Sequence, residues 1–451
     1  MSASVTAARA LMAGRDRATS LVTILAVALP HAVLLMVVAG AMAFLNRDAN
    51  PTSEIMARMQ LGGAAVMAAI LLVAQAATMG ASAARLGMSR RSRDLAVLRL
   101  MGLDSGGTRM ACVYETLFHA AIGVAIGTVL YVVTLPIWGL FTFQKTPLSI
   151  QEMWMGFLPM IGAGLGMLVI IGLSALVAVR RVTVTPLGVA RRAKAHGISG
   201  VWVIVGIIAA AAWFFFGRYI FGLGDMTMVV AILAVVAFVA MALISLVGSW
   251  TLSVLGWLMA RFGRKAKTVL AGRRLMDDPR SVWRSYGALA IVAFIAGIIL
   301  PVMGLVANLP AAAEPEIQEM NMVAIADITT GMILTLGFAI ILGTISTAVN
   351  QAIRAIDTIG ETRSLLHSGA PVVFLDQSRR REVGLPAVVL IGGAMFTGLA
   401  MSLPAVGPQG SLWAAMWTPL MGVIGIVLVL AASEVAKPIR RRLLEEEQRS
   451  E

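Results

Sequence analysis

The side chains that could ligate a metal or act as nucleophiles are few and scattered in this sequence. The single cysteine is Cys112, and the four histidines are His31, His119, His196 and His367. Their separation excludes a histidine ligand motif, and one cysteine excludes a disulfide framework and a cysteine metal site. The sequence also lacks a G-x-x-x-x-G-K-[ST] phosphate loop. We therefore predict no metal site, no cofactor and no catalytic residue in this chain, and we look for function in its charged side chains.

Charged side chains are concentrated in the loop after the second apolar segment. The pattern predicts a short helix over 89–100 with leucines on one side and arginines on most of the rest. Gly102 is placed to close this helix, and Asp104 or Ser105 to cap the next one. Such a helix can dock into the groove of another protein; alternatively, the loop only fixes the topology and touches anionic lipid headgroups. The candidate contact residues are Arg90, Arg91, Arg93, Asp94, Leu95, Leu98, Arg99 and Gly102.

Two carboxylates stand at matching places in the two halves of the chain. Glu115 lies just inside the third apolar segment, and Glu382 just before the ninth. A carboxylate at that depth is unfavourable unless it is paired. We expect Arg109 to pair with Glu115, and Arg379 or Arg381 with Glu382. The functional alternative is a hinge contact that changes when the loop helix is pushed.

Two histidines and two glycine motifs within the apolar segments have two interpretations each. His31 and His119 could contact a haem or a cationic drug, so we keep both as possible substrate contacts, although such histidines more often bond a helix carbonyl. The small residues of Gly123-x-x-x-Gly127 and Gly162-x-x-x-Gly166 predict close helix packing rather than a functional site.

The composition predicts the elements that must hold these residues. Of 451 residues, 59% are hydrophobic and 13% are charged, and the mean hydropathy is +0.88. A soluble protein has roughly 45–50% apolar and about 25% charged residues. The much lower charged fraction of this chain excludes a water-soluble enzyme, a disordered tail and a secreted disulfide scaffold. Because a membrane-spanning helix needs about 20 apolar residues, we predict ten spans. They lie near 19–45, 59–84, 110–137, 155–179, 200–222, 226–258, 285–308, 322–350, 383–405 and 411–436.

The distribution of basic residues orients these spans. With the N-terminus inside, only four of the 36 Lys and Arg residues lie outside: Arg47, Arg58, Lys145 and Arg218. This is a strong positive-inside bias. We therefore predict a multi-pass protein of a bacterial cytoplasmic membrane with both termini in the cytoplasm. The same bias accounts for the net charge of +13, so no nucleic-acid partner is needed.

Two stretches of the first half recur in the second half at a nearly constant offset. AARALMAGRDR at 7–17 resembles AGRRLMDDPRS at 271–281, and RDLAVLRLMGLD at 93–104 aligns with GETRSLLHSGAP at 360–371. Each pair precedes corresponding spans, which indicates an internal duplication. The matching candidates of the second copy are Glu361, Arg363, Leu365 and Gly369.

The duplication divides the chain into two four-span units and a linker. The first unit is 1–195, the linker pair of spans is 196–262, and the second, more divergent unit is 263–451. Because an even number of spans separates the copies, both have the same orientation, related by a pseudo-two-fold axis along the membrane normal. The predicted fold class is thus an all-α polytopic membrane protein with ten transmembrane helices.

The motifs of the first unit resemble those of the FtsX/MacB permease superfamily. They are the run RDLAVLRLMG at 93–102, the glutamate Glu115 that opens the third span, and the tail TPLGVAR at 185–191. The ten-span layout is similar to the bacitracin-export-type permeases. Those carry a large extracellular domain between spans seven and eight, where this chain has only the short stretch 309–321.

The resemblance implies the membrane half of an ABC transporter and no enzyme activity in this chain. Two copies of a separate ATPase would bind ATP and Mg²⁺, and the loop helix would be the coupling helix that contacts each copy. The implied function is export or extraction of a hydrophobic or amphipathic compound or lipid. The alternatives are a permease that signals to a cell-envelope partner or sensor kinase, and a secondary transporter without an ATPase.

Overall fold

A computed structural model of the chain describes most of the predicted spans. It covers 17–66, 68–70, 104–183, 247–277, 279–307, 315–357, 364–369 and 371–434, with a few single positions elsewhere. The helices are α1 (Arg17–Ala49), α2 (Glu54–Arg58), α3 (Ser105–Thr134), α4 (Ile150–Met153), α5 (Phe157–Thr183), α6 (Ala266–Asp277), α7 (Pro279–Ala307), α8 (Pro315–Asp357) and α9 (Val372–Glu434). A 3₁₀ helix (Leu135–Leu140) and the antiparallel strands β1 (Thr142–Phe143) and β2 (Thr146–Pro147) lie between α3 and α4.

Within the described residues, five helical stretches are long and apolar enough to cross a membrane. They are Thr23–Ala49, Met110–Leu140, Ile150–Val177, Ile317–Gln351 and Arg380–Leu399. Each falls on one of the ten predicted spans. The boundaries agree with the predictions because charged and turn-forming residues end each apolar run.

Helix α9 contains two antiparallel arms. A Cβ built on Gly425 would lie 3.3 Å from the Ile391 side chain, and one built on Gly422 would lie 3.6 Å from the sulfur of Met395. In a straight helix, positions 391 and 425 would be about 50 Å apart at ~1.5 Å per residue. The chain therefore reverses between the arms, and the stretch PAVGPQG at 404–410 supplies the prolines and glycines that interrupt a straight helix.

Helices α1 and α3 cross with their backbones in close contact. A Cβ on Gly123 would lie 2.9 Å from the carbonyl oxygen of Ile24, and one on Gly127 would lie 2.5 Å from that of Ala28. Only glycine fits at such distances. The packing predicted for Gly123-x-x-x-Gly127 is therefore confirmed.

A second close crossing joins α7 to the first arm of α9. Gly297 lies against the carbonyl oxygen of Met395, and Gly398 against that of Phe294, so neither position leaves room for a Cβ. Helices α1 and α3 are the first and third spans of the first predicted unit. Helix α7 and the first arm of α9 are the first and third spans of the second. The two halves thus make the same kind of contact between the same pair of spans.

The packing predicted for Gly162-x-x-x-Gly166 is not seen among the described residues. No atom of the described residues lies within 4 Å of a Cβ built on either glycine. Leu158, Leu165 and Val169 on the same side of α5 are exposed. Within the described residues, this side of α5 is therefore uncovered.

The two halves share a hydrophobic core. Val33 of α1 and Leu72, Ala76 and Met79 from the predicted second span belong to the same buried cluster as Leu289 of α7. A second cluster joins α1, α3 and α5 to Val349 of α8. The first two spans of one half thus pack against the first two spans of the other.

The orientation of the chain can be tested with single cysteines in a Cys112→Ser background. Lys145 and Lys265 are both exposed, and they lie on the predicted exterior and cytoplasmic sides. We expect Lys145→Cys to react with a membrane-impermeant maleimide in intact cells, and Lys265→Cys to react only after lysis. The reverse labelling pattern would contradict the positive-inside assignment.

Candidate functional site

The helix that follows the predicted coupling loop begins with a well-formed N-cap. The Asp104 side chain accepts hydrogen bonds from the backbone N–H groups of Gly106 (3.1 Å) and Gly107 (3.0 Å), which confirms the predicted cap. This cap fixes the residue at which α3 begins. The candidates within the loop lie outside the described residues: Arg90, Arg91, Arg93, Asp94, Leu95, Leu98, Arg99 and Gly102.

The corresponding place in the second half is a helical turn that ends just before α9. The N–H of Ser368 bonds to the Ser364 carbonyl at 3.1 Å, and that of Gly369 to the Leu366 carbonyl at 2.9 Å. Gly369 has φ +86°, the left-handed conformation in which glycine ends a helix. Leu365 is half-buried in this turn. Two further candidates, Glu361 and Arg363, lie outside the described residues.

Glu382 forms an ion pair with the amphipathic helix α6. Arg274 Nη1 lies 3.7 Å from Glu382 Oε2, and both side chains are mostly buried. Arg381, one of the expected partners, instead donates to the hydroxyl of Thr268, also on α6. Sequence reasoning missed Arg274 because nothing local indicates that α6 packs on α9.

Further contacts fix α6 along the start of α9. Lys267 Nζ donates to Gln377 Oε1 at 2.7 Å, and the Ser378 hydroxyl donates to the Lys267 carbonyl at 3.3 Å. On its other side, α6 crosses the helical residues 247–262, where a Cβ on Gly272 would lie 2.8 Å from the Gly256 carbonyl oxygen. Helix α6 thus joins the end of the predicted linker pair to the helix that follows the second coupling turn.

The other predicted site residues of the first half are buried in α1 and α3. Glu115 and His119 lie one turn apart in α3, and His119 Nδ1 is 2.9 Å from the Glu115 carbonyl oxygen. His31 is completely buried at the α1–α3 crossing, with Nε2 3.3 Å from the Thr128 hydroxyl. Both histidines therefore have contacts that belong to helix packing, and a substrate contact for either stays a prediction.

An unpredicted polar cluster lies around Arg47, at the end of the helices that the charge pattern places outside. The Arg47 side chain is buried and makes a two-pronged contact with Glu152, at 2.6 Å from Nε and 3.0 Å from Nη2. It also donates to the carbonyl oxygens of Phe143 (3.0 Å) and Pro147 (3.1 Å). Glu152 in turn forms a capping box with Ser149 at the start of α4. One guanidinium thereby fastens the end of α1 to the hairpin and to α4.

The tip of this hairpin reaches the second half of the chain. Gln144 is buried: its backbone N–H donates to Asp327 Oδ2 of α8 at 2.8 Å, and its side-chain amide donates to the Met59 carbonyl at 2.7 Å. Lys145 forms an ion pair with Glu319, also on α8. We call Arg47, Gln144, Lys145, Glu152, Glu319 and Asp327 the exterior clasp. Arg47 and Lys145 lie on the predicted exterior side, where basic residues are disfavoured. Their presence there is the sequence feature that could have indicated this cluster.

The hairpin tip has an unusual backbone for its sequence. Gln144 and Lys145 have φ values of +53° and +64°, which are typical of a type I′ turn and are normally supplied by Asn-Gly. A residue with a Cβ is disfavoured there by about 1–2 kcal/mol. The surrounding contacts of the exterior clasp must offset this unfavourable conformation.

One small apolar cavity lies among α7, α8 and α9. Its volume is about 20 Å³, and its lining includes Leu289, Leu336, Ile391 and Leu428. A site for a drug-sized ligand needs roughly 300–1,000 Å³, so this cavity is not a formed substrate site. Among the described residues, no group of three His, Cys, Asp or Glu side chains is placed to hold a metal ion.

Comparison with known proteins finds a family match within the first half of the chain. Residues 66–187 match the family model for the FtsX-like permease C-terminal domain, whereas no curated protein matches the chain. The matched segment contains the predicted loop helix, α3, the hairpin, α4 and α5. Over these residues the chain is therefore similar to the C-terminal domain of FtsX-like permeases, which supports the resemblance to the FtsX/MacB-like permease superfamily.

Proposed function

We propose that this chain is the membrane permease subunit of an ABC transporter, driven by a separate ATPase through its cytoplasmic coupling helices. The observation that carries the proposal is the family match at 66–187, because FtsX-like permeases work with ABC ATPases. The match includes the loop helix over 89–101, which is the segment proposed to contact the ATPase. The substrate class that fits best is a hydrophobic or amphipathic compound, or a lipid.

In the first half, α3 and α1 would transmit a movement of the loop helix to the exterior end. Movement of the loop helix passes through the Asp104 cap into α3. Because Gly123 and Gly127 leave no gap at the crossing, α3 cannot shift along α1 without moving it. A push at the cytoplasmic face would therefore reach the exterior end through both helices.

The second half offers a matching path through α9. The turn at Ser364–Gly369 precedes α9, and the Arg274–Glu382 pair holds α6 to it. The crossing at Gly297 and Gly398 then passes movement to α7. The equivalent crossings in the two halves support the proposed duplication, and hence one permease with two ATPase copies.

The described exterior surface favours a substrate that enters from the bilayer. The segment between α3 and α5 is compact, and α8 begins at Pro315, which leaves no room for a large capture domain in the connection before it. Spans one and two share a core with span seven, so they would have to separate to admit a substrate laterally. Export or extraction of a membrane-borne compound fits these features.

A second function, transmission of a signal to a cell-envelope partner or a sensor kinase, is favoured by one feature. The segment 135–155 folds into a 3₁₀ helix, a hairpin and a helix on the exterior side, and such a surface could dock a partner. Stimulation of the ATPase by lipids or amphipathic compounds in the absence of a second protein would favour transport over signalling.

The coupling assignment predicts that Arg93→Glu and Leu98→Asp weaken ATPase binding. Each substitution places a negative charge on the proposed contact face, and we expect a loss of about tenfold or more in affinity, as for a central interface residue. Co-purification and ATPase stimulation measure the effect. Arg58→Glu, an equal charge change on the predicted exterior side, is the matched control; an effect of the same size there would contradict the assignment.

The Arg274–Glu382 pair predicts an energetic coupling between α6 and α9. Because both side chains are mostly buried, Glu382→Gln should lower the free energy of unfolding by about 1–3 kcal/mol. We expect Arg274→Gln to have a similar effect and the double variant to lose less than the sum. Thermal unfolding in detergent measures this; additive losses would show that the two side chains do not interact.

A further inference from the structure

We propose that the hairpin tip at Gln144 and Lys145 is a releasable latch that holds α8 against the first unit at the exterior face. This inference rests on the proposed function, because it assigns the latch a role in the ATP-driven cycle. In this cycle the exterior path opens when the tip withdraws from Asp327 and Glu319.

The tip makes both of its cross-unit contacts on one side of α8. Glu319 and Asp327 are eight residues apart, which places them on the same face of a helix. The Gln144 backbone N–H bonds to Asp327 Oδ2 at 2.8 Å, and the Lys145 ammonium pairs with Glu319 about two turns closer to the start of α8. Two adjacent residues thus engage two points along the helix, which fixes the position of the tip along α8.

The strained turn is evidence that these contacts matter. An Asn-Gly tip would adopt the same positive φ values at no steric cost, but it would lack the Lys145 ammonium and the long Gln144 amide. The chain instead keeps both side chains in an unfavourable conformation and buries Gln144. The turn is therefore organised for its contacts rather than for its own stability.

Of the two contacts across to α8, the Gln144–Asp327 hydrogen bond is buried and the Lys145–Glu319 ion pair is exposed. The contacts of Arg47 within the first unit are stronger than that ion pair. Arg47 is buried and makes four hydrogen bonds to Glu152, Phe143 and Pro147. By contrast, Lys145 and Glu319 are both about half exposed, and an exposed ion pair is weakly held. The exterior segment will therefore move as one body with α1 and α3, and the latch is the place where it detaches.

An aromatic contact lies next to the latch. Trp138 of the 3₁₀ helix and Phe338 of α8 have ring centroids 5.9 Å apart, and both belong to the buried cluster at the exterior end. The rings are tilted by 33° to one another, so an apolar contact accompanies the polar contacts of the latch.

Cysteine cross-linking tests the latch directly. The Lys145→Cys/Glu319→Cys pair, in a Cys112→Ser background and in complex with the ATPase, is treated with a short bis-maleimide. Long side chains connect these two positions, and a bis-maleimide spans a longer distance than a disulfide bond does. We expect efficient cross-linking without nucleotide, and at least a threefold decrease with ATP and vanadate. Equal cross-linking in both states, or none without nucleotide, would overturn the proposal.

The matched control is the Glu54→Cys/Arg58→Cys pair. These residues form an i,i+4 ion pair within α2 and do not join the two units, so their cross-linking should be independent of nucleotide. The same nucleotide dependence in this pair would show that the reagent responds to general accessibility, and it would overturn the assignment to the latch.

Charge variants give a second measurement that separates the two hypotheses. Lys145→Glu should raise basal ATP hydrolysis at least twofold, and Lys145→Glu/Glu319→Lys should restore it, because the swap re-forms the ion pair. If the ATPase binds in an Arg93-dependent way but the latch variants and cross-links do not respond, the latch is wrong and the permease function stands. If no ATPase binds the chain, the proposed function fails and the latch fails with it.

Discussion

The exterior architecture depends on the burial of one guanidinium. A buried charge is unfavourable unless its donors are matched by acceptors, and in this chain only 13% of residues are charged. Arg47 meets that requirement with both oxygens of Glu152 and two backbone carbonyls. These acceptors come from the hairpin and from α4. The hydrogen bonds of this one side chain therefore position the hairpin and α4 relative to the end of α1.

The glycine crossings give the membrane interior the same rigidity. At Gly123 and Gly127 the backbone of α3 lies against backbone carbonyl oxygens of α1, beside the side chains of Val27 and His31, and such close packing transmits displacement. In the proposed cycle, a displacement that begins at the Asp104 cap would reach the hairpin tip through this crossing and the Arg47 contacts. The exposed Lys145–Glu319 ion pair is the weakest contact on that path.

Sequence reasoning succeeded where the controlling forces are local. The bounds of the spans follow from hydrocarbon thickness, and the Asp104 cap and the Gly369 turn follow from backbone groups within a few residues. It did not find Arg47–Glu152, which are 105 positions apart, or Arg274–Glu382, because such pairs depend on which helices touch. The two G-x-x-x-G motifs show the same limit: Gly123 packs against a helix, whereas no described residue packs against Gly162, although their local sequences are alike.

The basic residues on the predicted exterior side are exceptions to the positive-inside pattern, and they mark ion pairs in the structure. Three of the four predicted exterior cations lie in described residues, and each has a carboxylate partner: Arg47 with Glu152, Arg58 with Glu54 and Lys145 with Glu319. A cation on that face opposes the charge bias that orients the chain, so a compensating contact favours its retention. Arg58 is paired within its own short helix, but Arg47 and Lys145 pair across elements. In an apolar chain, a cation on the disfavoured side whose partner is distant in sequence therefore indicates where separate elements are joined.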